Sequence, residues 1–334
     1  MSKLKKVLLG IGAALLALIV LLAISKEVAD ARYFNDYDPN LPFNERVKAV
    51  EERTDEANQV TYQRVEFSFE STPGERIPTL LTFPEEHKGE LPAIIFLHGI
   101  GQKKTFLDRI TAPFNKHGFA MACFDQYMQG ERKVKGGPLA QAMAFRARPR
   151  KTINETRRLI DYLEGHPDID EERIYLVGAS YGAITGSTVI AFDERIRAGI
   201  LIYGGANIRI LLDAPMIRRE AGDFWVNLLK PVVAYIMDPA DPEHYASGNS
   251  PRPVFLQAGD HDTLVHPPAA QRLIDTVGEP KKVQWYNSDH IGMLKEERHV
   301  VEEVLEDALE WLLQQDAEFR EEPVPKKVEV NAEV

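Results

Sequence analysis

Short apolar runs alternate with amphipathic stretches over most of this chain. The apolar runs are four to six residues long and are bounded by Gly, Pro or a charged residue; they lie at 93–97, 119–124, 174–177, 199–203 and 254–257, with a further run at 283–286. Runs of this kind are typical of strands buried on both faces of a parallel sheet. Residues 152–164 and 297–315 place their apolar side chains on one stripe each, as amphipathic helices do. The alternation predicts an α/β fold with helices on both faces of a mostly parallel sheet.

The N-terminal segment has a different pattern. Residues 7–24 contain no charged residue, and as a helix they span about 27 Å, close to the roughly 30 Å hydrocarbon core of a bilayer. Lys3, Lys5 and Lys6 precede the run, which predicts a single-pass anchor with the N-terminus in the cytoplasm and the body on the extracytoplasmic side. The alternative is a signal peptide cleaved near Ala31, which would leave a secreted or periplasmic protein. The run exceeds the usual 7–15 apolar residues of a signal peptide, and this favours the anchor.

The pattern divides the chain into four parts. Residues 1–31 form the anchor, or the signal peptide, and 32–61 form a polar connector in which 43–57 match an amphipathic helix. The main domain covers 62–315 and opens with a predicted hairpin. Residues 316–334 are charged, contain two prolines and lack apolar periodicity, so they are predicted to be a disordered tail.

An insertion interrupts the alternation of strands and helices. Residues 207–250 separate two predicted strands with far more chain than one helix needs, and they are rich in apolar and aromatic residues. A segment of this kind above the carboxyl ends of parallel strands predicts a small helical cap over a binding crevice. Phe224 and Trp225 are the aromatic residues that we expect to line the substrate pocket beneath it.

Composition narrows the class of protein. The 334 residues include 40 basic and 51 acidic side chains, a net charge of −11, and no basic cluster. Nucleic acid is therefore not an expected partner, because phosphate contacts need clustered Lys and Arg. The single cysteine, Cys123, excludes an intrachain disulfide and a zinc–thiolate site, and its apolar neighbours predict a buried thiol. No metal or cofactor is expected.

The motif that carries chemistry is Gly178-Ala-Ser-Tyr-Gly182, a G-x-S-x-G sequence directly after a buried run. This pattern is typical of a sharp strand-to-helix turn that lifts the hydroxyl of Ser180 clear of the sheet. A serine nucleophile needs a histidine base and an orienting carboxylate, which follow it in the order acid, then histidine. His290 lies in the polar loop between the last strand and the last helix, where the base must be.

The acid and the oxyanion hole are predicted from the loops that follow two strands. Asp260 and Asp262 both follow the run at 254–257; Asp262 is favoured because Asp260 is still at the exit of the strand, with Asp260 as the alternative. An oxyanion hole needs two backbone N–H donors. Tyr181, directly after the serine, and Ile100, in the loop after the run at 93–97, are the expected donors.

Together these motifs resemble the α/β-hydrolase superfamily, and most closely its branch of dienelactone-hydrolase-like and acyl-peptidase-like serine esterases. The resemblance covers about 62–315 and rests on Gly259-x-x-Asp262-x-x-Val265, His290 and the segments 92–99 (PAIIFLHG), 118–125 (GFAMACFD), 130–132 (GER) and 166–182 (HPDIDEERIYLVGASYG). It implies an eight-stranded sheet, a Ser-His-Asp triad and no cofactor. Two features depart from the family: Ile291 follows His290 where many relatives have glycine, and the nucleophile is serine, whereas the dienelactone hydrolases proper use cysteine.

The resulting hypothesis is a membrane-anchored serine hydrolase that cleaves a carboxylic ester, or a related acyl bond, of a small molecule through an acyl-enzyme. A peptidase or an acyltransferase with the same triad is the alternative. A non-catalytic binding protein on this fold is a further alternative, which the complete set of triad residues disfavours.

Overall fold

The computed structural model of the protein describes residues 3–321, apart from some side chains of the first helix and that of Lys295. A nine-stranded sheet with the order β1-β2-β3-β5-β4-β6-β7-β8-β9 forms its centre. The strands are β1 (Arg46–Asp55), β2 (Val60–Thr72), β3 (Glu75–Pro84), β4 (Leu91–Leu97), β5 (Ala120–Phe124), β6 (Ile169–Ala179), β7 (Ile196–Ile202), β8 (Val254–Gly259) and β9 (Lys281–Tyr286). From β5 to β9 all neighbouring strands are parallel, whereas β1, β2, β3 and β5 pair in antiparallel fashion. The predicted mostly parallel α/β sheet is confirmed.

Helices cover both faces of the sheet. They are α1 (Lys3–Ala31), α2 (Thr111–Lys116), α3 (Pro138–Glu164), α4 (Tyr181–Phe192), α5 (Ile208–Leu211), α6 (Pro215–Ala221), α7 (Asp223–Met237), α8 (Pro267–Thr276) and α9 (Arg298–Glu321). Apolar side chains of α3, α4 and α8 pack on one face, and those of α2 and α9 pack on the other. Strands β4, β5 and β8 are buried along their whole length, because each lies in the middle of this sandwich.

The predicted connector helix at 43–57 is wrong. Most of this segment forms a strand instead, which is the ninth strand of the sheet. This segment forms β1, which pairs with β2 from Arg46 opposite Ser68 to Asp55 opposite Val60. The local sequence suits a helix, but the outer edge of β2 offers a row of backbone donors and acceptors, and pairing with it outweighs the weak helix propensity. The sheet therefore begins before residue 62 and has nine strands instead of eight.

The C-terminal boundary also differs from the prediction. The last helix, α9, continues past residue 315 to Glu321 because Asp316 is buried and bound to the domain. Its carboxylate accepts hydrogen bonds from Arg173 Nε at 2.8 Å and from the Tyr175 hydroxyl at 2.9 Å. Residues 316–321 are thus ordered, and the predicted disorder of 322–334 concerns residues outside those that the structure describes.

The N-terminal segment forms a single helix, α1. Within residues 3–321 it is the one helix long and apolar enough to cross a membrane. Its apolar part, Ile11–Ala31, has a mean hydropathy of 2.2 and is not buried against the domain. Its last turns contact the domain. Asp30 accepts a hydrogen bond from Arg146 of α3 at 2.6 Å, and Tyr33, two residues after the end of the helix, is buried.

Candidate active site

Ser180 lies at the sharp turn between β6 and α4. Its backbone has φ 56° and ψ −118°, a conformation that a residue with a side chain rarely adopts and that costs about 1–3 kcal/mol. The neighbouring glycines are required for this turn: a Cβ at Gly178 would lie 2.3 Å from the carbonyl oxygen of Gly182, and one at Gly182 would lie 1.9 Å from that of Leu97. The strained turn exposes the serine hydroxyl above the carboxyl end of the sheet, as the G-x-S-x-G motif predicts.

Three side chains from distant parts of the sequence form a chain of hydrogen bonds. His290, in the loop after β9, lies with Nε2 2.8 Å from Ser180 Oγ and with Nδ1 2.6 Å from Asp262 Oδ2. The imidazole and the carboxylate are almost fully buried. A histidine held in this way can accept the serine proton at Nε2 while the carboxylate stabilises the resulting imidazolium.

The backbone of its own loop holds Asp262 in place. Its Oδ1 accepts the N–H groups of Leu264 at 2.7 Å and Val265 at 2.8 Å, which leaves Oδ2 for His290. The alternative acid, Asp260, has a half-exposed side chain that contacts His261 Nδ1 at 2.6 Å. The structure therefore brings Asp262, and not Asp260, to His290.

Asp289 joins the loop of the acid to the loop of the histidine. Its Oδ1 accepts the N–H of His290 at 2.7 Å, the N–H of Thr263 at 2.7 Å and the Thr263 hydroxyl at 2.9 Å. Partial burial raises the pKa of Asp289, but the N–H donors outweigh this effect, so its pKa is lowered from the ordinary value. This residue was not predicted from the sequence, although an aspartate directly before the histidine is a usable signal, because such side chains often bond to nearby backbone N–H groups.

The two residues predicted to supply the oxyanion donors lie close to Ser180. Ile100 and Tyr181 line the same cleft as the serine, and their N–H groups donate to no acceptor within residues 3–321. Gly99 approaches so closely that a Cβ on it would lie 3.3 Å from Ser180 Cβ, and its N–H donates to Gln102 Oε1 at 3.0 Å. Two unused N–H groups beside a serine hydroxyl are the arrangement that can stabilise a tetrahedral oxyanion.

Three other histidines lie away from this chain of hydrogen bonds. His244, in the insertion, and His299, in α9, are exposed. His98 is fully buried beside Ser180's loop, where its Nδ1 lies 3.0 Å from the carbonyl oxygen of Gly99, and burial lowers its pKa. Cys123 is buried in the core, which raises the pKa of its thiol, and so it does not reach the site.

The cleft beside Ser180 has a volume of about 230 Å³ and is lined almost entirely by apolar side chains. The insertion at 207–250 forms one wall of it, as expected for a cap. The side chains that it contributes are Ile208, Leu211, Leu212, Ile217, Val233, Met237, Ala240 and Pro242.

The prediction that Phe224 and Trp225 line this cleft is wrong. Both lie in the first turn of α7, and their side chains are 70% and 55% exposed. Neither is among the residues that line the cleft. Helix α7 turns Val233 and Met237 inward, which places the two aromatic residues on its outer side. The insertion is rich in aromatic residues, but the rotation of α7 about its own axis decides which side chains reach the cleft.

Helix α3 supplies a further wall of the cleft, which was not predicted from the sequence. It begins at Pro138 rather than at residue 152, and its first half brings Phe145, Arg148 and Pro149 to the cleft. Arg148 is buried, and its guanidinium lies 4.2 Å from the centre of the Tyr181 ring. Within residues 3–321, no group of three or more His, Cys, Asp or Glu side chains is arranged to hold a metal ion.

The sheet order, the turn at Ser180 and the loops that carry His290 and Asp262 define an α/β-hydrolase fold. Comparison with known families agrees: residues 77–316 match the model of the dienelactone hydrolase family, and the chain belongs to that family. This confirms the resemblance seen in the sequence, and it supports a hydrolase of ester or related acyl bonds.

Individual relatives are distant in sequence. YitV from Bacillus subtilis (strain 168), an inferred esterase, is 24% identical over 64% of this chain and 89% of its own length. An acetyl xylan esterase from Paenibacillus sp. R4 superposes with a TM-score of 0.66 at 15% identity, over 83% of this chain and 93% of its own. The acylaminoacyl peptidase of Pyrococcus horikoshii superposes with a TM-score of 0.61 at 14% identity, over 80% of this chain and 42% of its own. At these identities the structures establish a shared fold.

Proposed function

We propose that this protein is a serine hydrolase that cleaves a carboxylic ester through an acyl-enzyme intermediate. The observation that carries the proposal is the continuous chain of hydrogen bonds from Ser180 through His290 to Asp262, at a strained turn beside an apolar cleft. A structural serine needs neither the strained backbone nor a buried histidine–carboxylate pair, so the arrangement favours catalysis over the alternative of a non-catalytic binding protein.

The proposed reaction has two halves. Ser180 Oγ attacks the acyl carbon while His290 Nε2 takes its proton, and the N–H groups of Ile100 and Tyr181 stabilise the oxyanion. His290 then protonates the leaving alcohol, which departs and leaves the acyl group on the serine. Water, deprotonated by His290, releases the acid and restores Ser180. Asp262 holds the imidazole with Nδ1–H towards itself throughout.

The cleft favours an ester with an apolar acyl group. Arg148 is the one charged side chain among its lining residues, and its guanidinium lies against the ring of Tyr181. A peptidase or an acyltransferase would use the same triad, and the fold shared with an acylaminoacyl peptidase keeps the peptidase as the second candidate.

A fluorophosphonate probe tests the proposed nucleophile, because it labels only an activated serine. We expect labelling of the full-length protein and none of Ser180→Ala, which should fold normally and hydrolyse p-nitrophenyl esters several orders of magnitude more slowly. Activity of purified, folded Ser180→Ala close to that of the unchanged protein would refute the proposal. Parallel assays with p-nitrophenyl esters and aminoacyl p-nitroanilides separate esterase from peptidase.

We also propose that α1 is an uncleaved membrane anchor with the hydrolase domain on the extracytoplasmic side. Its length and composition support the anchor, and Lys3, Lys5 and Lys6 before it support the orientation. Cleavage near Ala31 would remove Asp30, whose carboxylate binds Arg146, so this contact favours retention of the helix. An N-terminal tag should remain on the mature protein, and protease added to spheroplasts should remove a C-terminal tag. Loss of the first tag, or protection of the second until lysis, would contradict the respective half of the proposal.

A further inference from the structure

Helix α7 presents a broad apolar face outward, where an ordinary surface helix presents polar residues. At 100° per residue its polar residues Asp223, Asn227 and Lys230 fall within about 60° of one another, next to the inward-facing stripe of Val233 and Met237. The opposite sector, about 160° wide, is apolar and exposed. Its large side chains are between 40% and 70% exposed: Phe224, Trp225, Leu228, Leu229, Val232, Tyr235 and Ile236. Soluble proteins rarely leave such a continuous patch in water, so the pattern indicates an apolar partner.

The outer face of α7 adjoins the end of α1. Lys26 Nζ lies 4.0 Å from the centre of the Tyr235 ring, and Tyr33 is buried in a cluster with Met237 and Ala240. Lys26 is the first charged residue after the apolar run at 7–24, so it marks the level at which α1 leaves the hydrocarbon. With the proposed anchor in the bilayer, Tyr235 would lie at the boundary between the membrane and water, where Tyr and Trp side chains concentrate.

A second exposed apolar stretch adjoins α1 from α3. Leu139 and Met143 are 76% and 66% exposed, and they precede Arg146 by seven and three residues, which places all three on one side of the helix. Arg146 is the residue that binds Asp30 at the end of α1. Exposed apolar side chains of α3 and α7 thus border the point where the anchor joins the domain.

We propose that the outer face of α7 lies in the interfacial layer of the membrane that α1 spans, so that the cleft opens beside the lipid and takes esters with long acyl chains that reside in the bilayer. The bilayer is the occupant that this geometry favours, because the face is continuous with a helix of membrane-spanning length. Since Val233 and Met237 on the inner side of α7 line the cleft, one helix separates the lipid from the site. The substrate class rests on the proposed hydrolase function and the location rests on the proposed anchor.

Trp225 provides a direct probe of this contact. The full-length protein is reconstituted in phosphatidylcholine vesicles, with or without phospholipids brominated on the acyl chains, which quench tryptophan only at short range. Trp311 is buried in the core and Trp285 lies on β9, so the Trp225→Phe variant supplies the background. We expect brominated lipid to quench the unchanged protein and to leave Trp225→Phe nearly unaffected. Equal quenching in the two proteins would overturn the inference.

Substrate access is tested by placing polar residues on the outer face. Leu228→Ser with Val232→Ser should lower the hydrolysis of p-nitrophenyl palmitate in vesicles by about tenfold, while soluble p-nitrophenyl acetate changes by less than about twofold. Val47→Ser with Val50→Ser is the matched control, because these β1 valines are exposed to a similar degree, 57% and 59% against 52%, and lie on the edge strand of the sheet. It should change neither rate. Equal loss with both esters, or equal effects of the two double variants, would contradict the proposed lipid contact.

Three controls separate the possible failures. Release of the protein by alkaline carbonate would refute the anchor, whereas retention without Trp225 quenching would refute only the contact of α7. Absence of fluorophosphonate labelling would refute the hydrolase and leave the lipid contact standing. Disulfide crosslinking of two copies through Leu228→Cys at low protein-to-lipid ratio would show that a second copy covers this face, which overturns the inference.

Discussion

Replacement of Asp262 by asparagine gives the sharpest test of the proposed triad. In the folded protein Asp262 Oδ1 accepts the N–H groups of Leu264 and Val265, and Oδ2 faces His290 Nδ1 at 2.6 Å. The two N–H donors would hold the amide oxygen of the asparagine in the place of Oδ1. Its NH₂ group would then face His290 and donate to Nδ1, which puts the imidazole proton on Nε2, towards Ser180.

A histidine with its proton on Nε2 cannot accept the proton of the serine. The same substitution in a serine protease triad lowers kcat by about 10⁴, which corresponds to about 5.4 kcal/mol of lost transition-state stabilisation. We expect a loss of that order for Asp262→Asn, because the side chains of His290 and Asp262 are only 6% and 1% exposed, so the hydrogen bond between them is shielded from solvent.

Asp260→Asn is the matched control, because it makes the same chemical change two residues away on a half-exposed side chain that contacts His261. The assay is kcat and KM for p-nitrophenyl acetate, with the melting temperature of each variant measured by circular dichroism. Asp260→Asn should retain activity within about twofold. Similar losses in the two variants, or a loss of less than about tenfold in a folded Asp262→Asn, would refute the assignment.

Three further predictions concern the loops, the cleft and the core. Asp289→Ala should lower kcat by about 10-fold to 100-fold, because it frees the loop of His290. Since the pKa of Asp289 is lowered in the folded protein, this carboxylate should stabilise the fold above the ordinary aspartate pKa of about 3.9 and lose that effect as the pH falls through the lowered pKa. The difference in unfolding free energy between the unchanged protein and Asp289→Ala should therefore shrink as the pH falls through that range. Leu212→Trp should fill part of the cleft and lower kcat/KM for an octanoyl ester by about tenfold, with less than about twofold change for the acetyl ester. Equal changes in kcat/KM for the two esters would show that Leu212 does not contact the acyl chain. Arg132→Ala should destabilise the protein by about 3–5 kcal/mol in urea unfolding, because it leaves the buried Glu155 carboxylate unpaired, whereas the exposed Lys48→Ala should have little effect; similar midpoints for the two variants would contradict this account.

Features that depend on neighbouring residues were predictable from the sequence. The buried strands are visible as apolar runs, and the turn at Ser180 follows from the steric need for Gly178 and Gly182. The loop of His290 follows from its place between the last strand and the last helix. Asp262 could be preferred to Asp260 because the position along a short loop decides how far a side chain reaches. In each case the determining contacts lie within a few residues along the chain, or within a motif whose spacing is invariant for steric reasons.

Features that depend on contacts between distant segments required the tertiary structure. The strand β1 forms because β2 has a free edge, and α9 extends because Asp316 meets Arg173, 143 residues away. Asp289 holds two loops together that only the sheet order brings side by side. The outward turn of Phe224 and Trp225 depends on how α7 rotates when Val233 and Met237 pack over the cleft. A helix that is apolar on almost every side carries no local signal for this rotation, and only the packing of the cap against α1, α3 and the sheet decides which face remains outside.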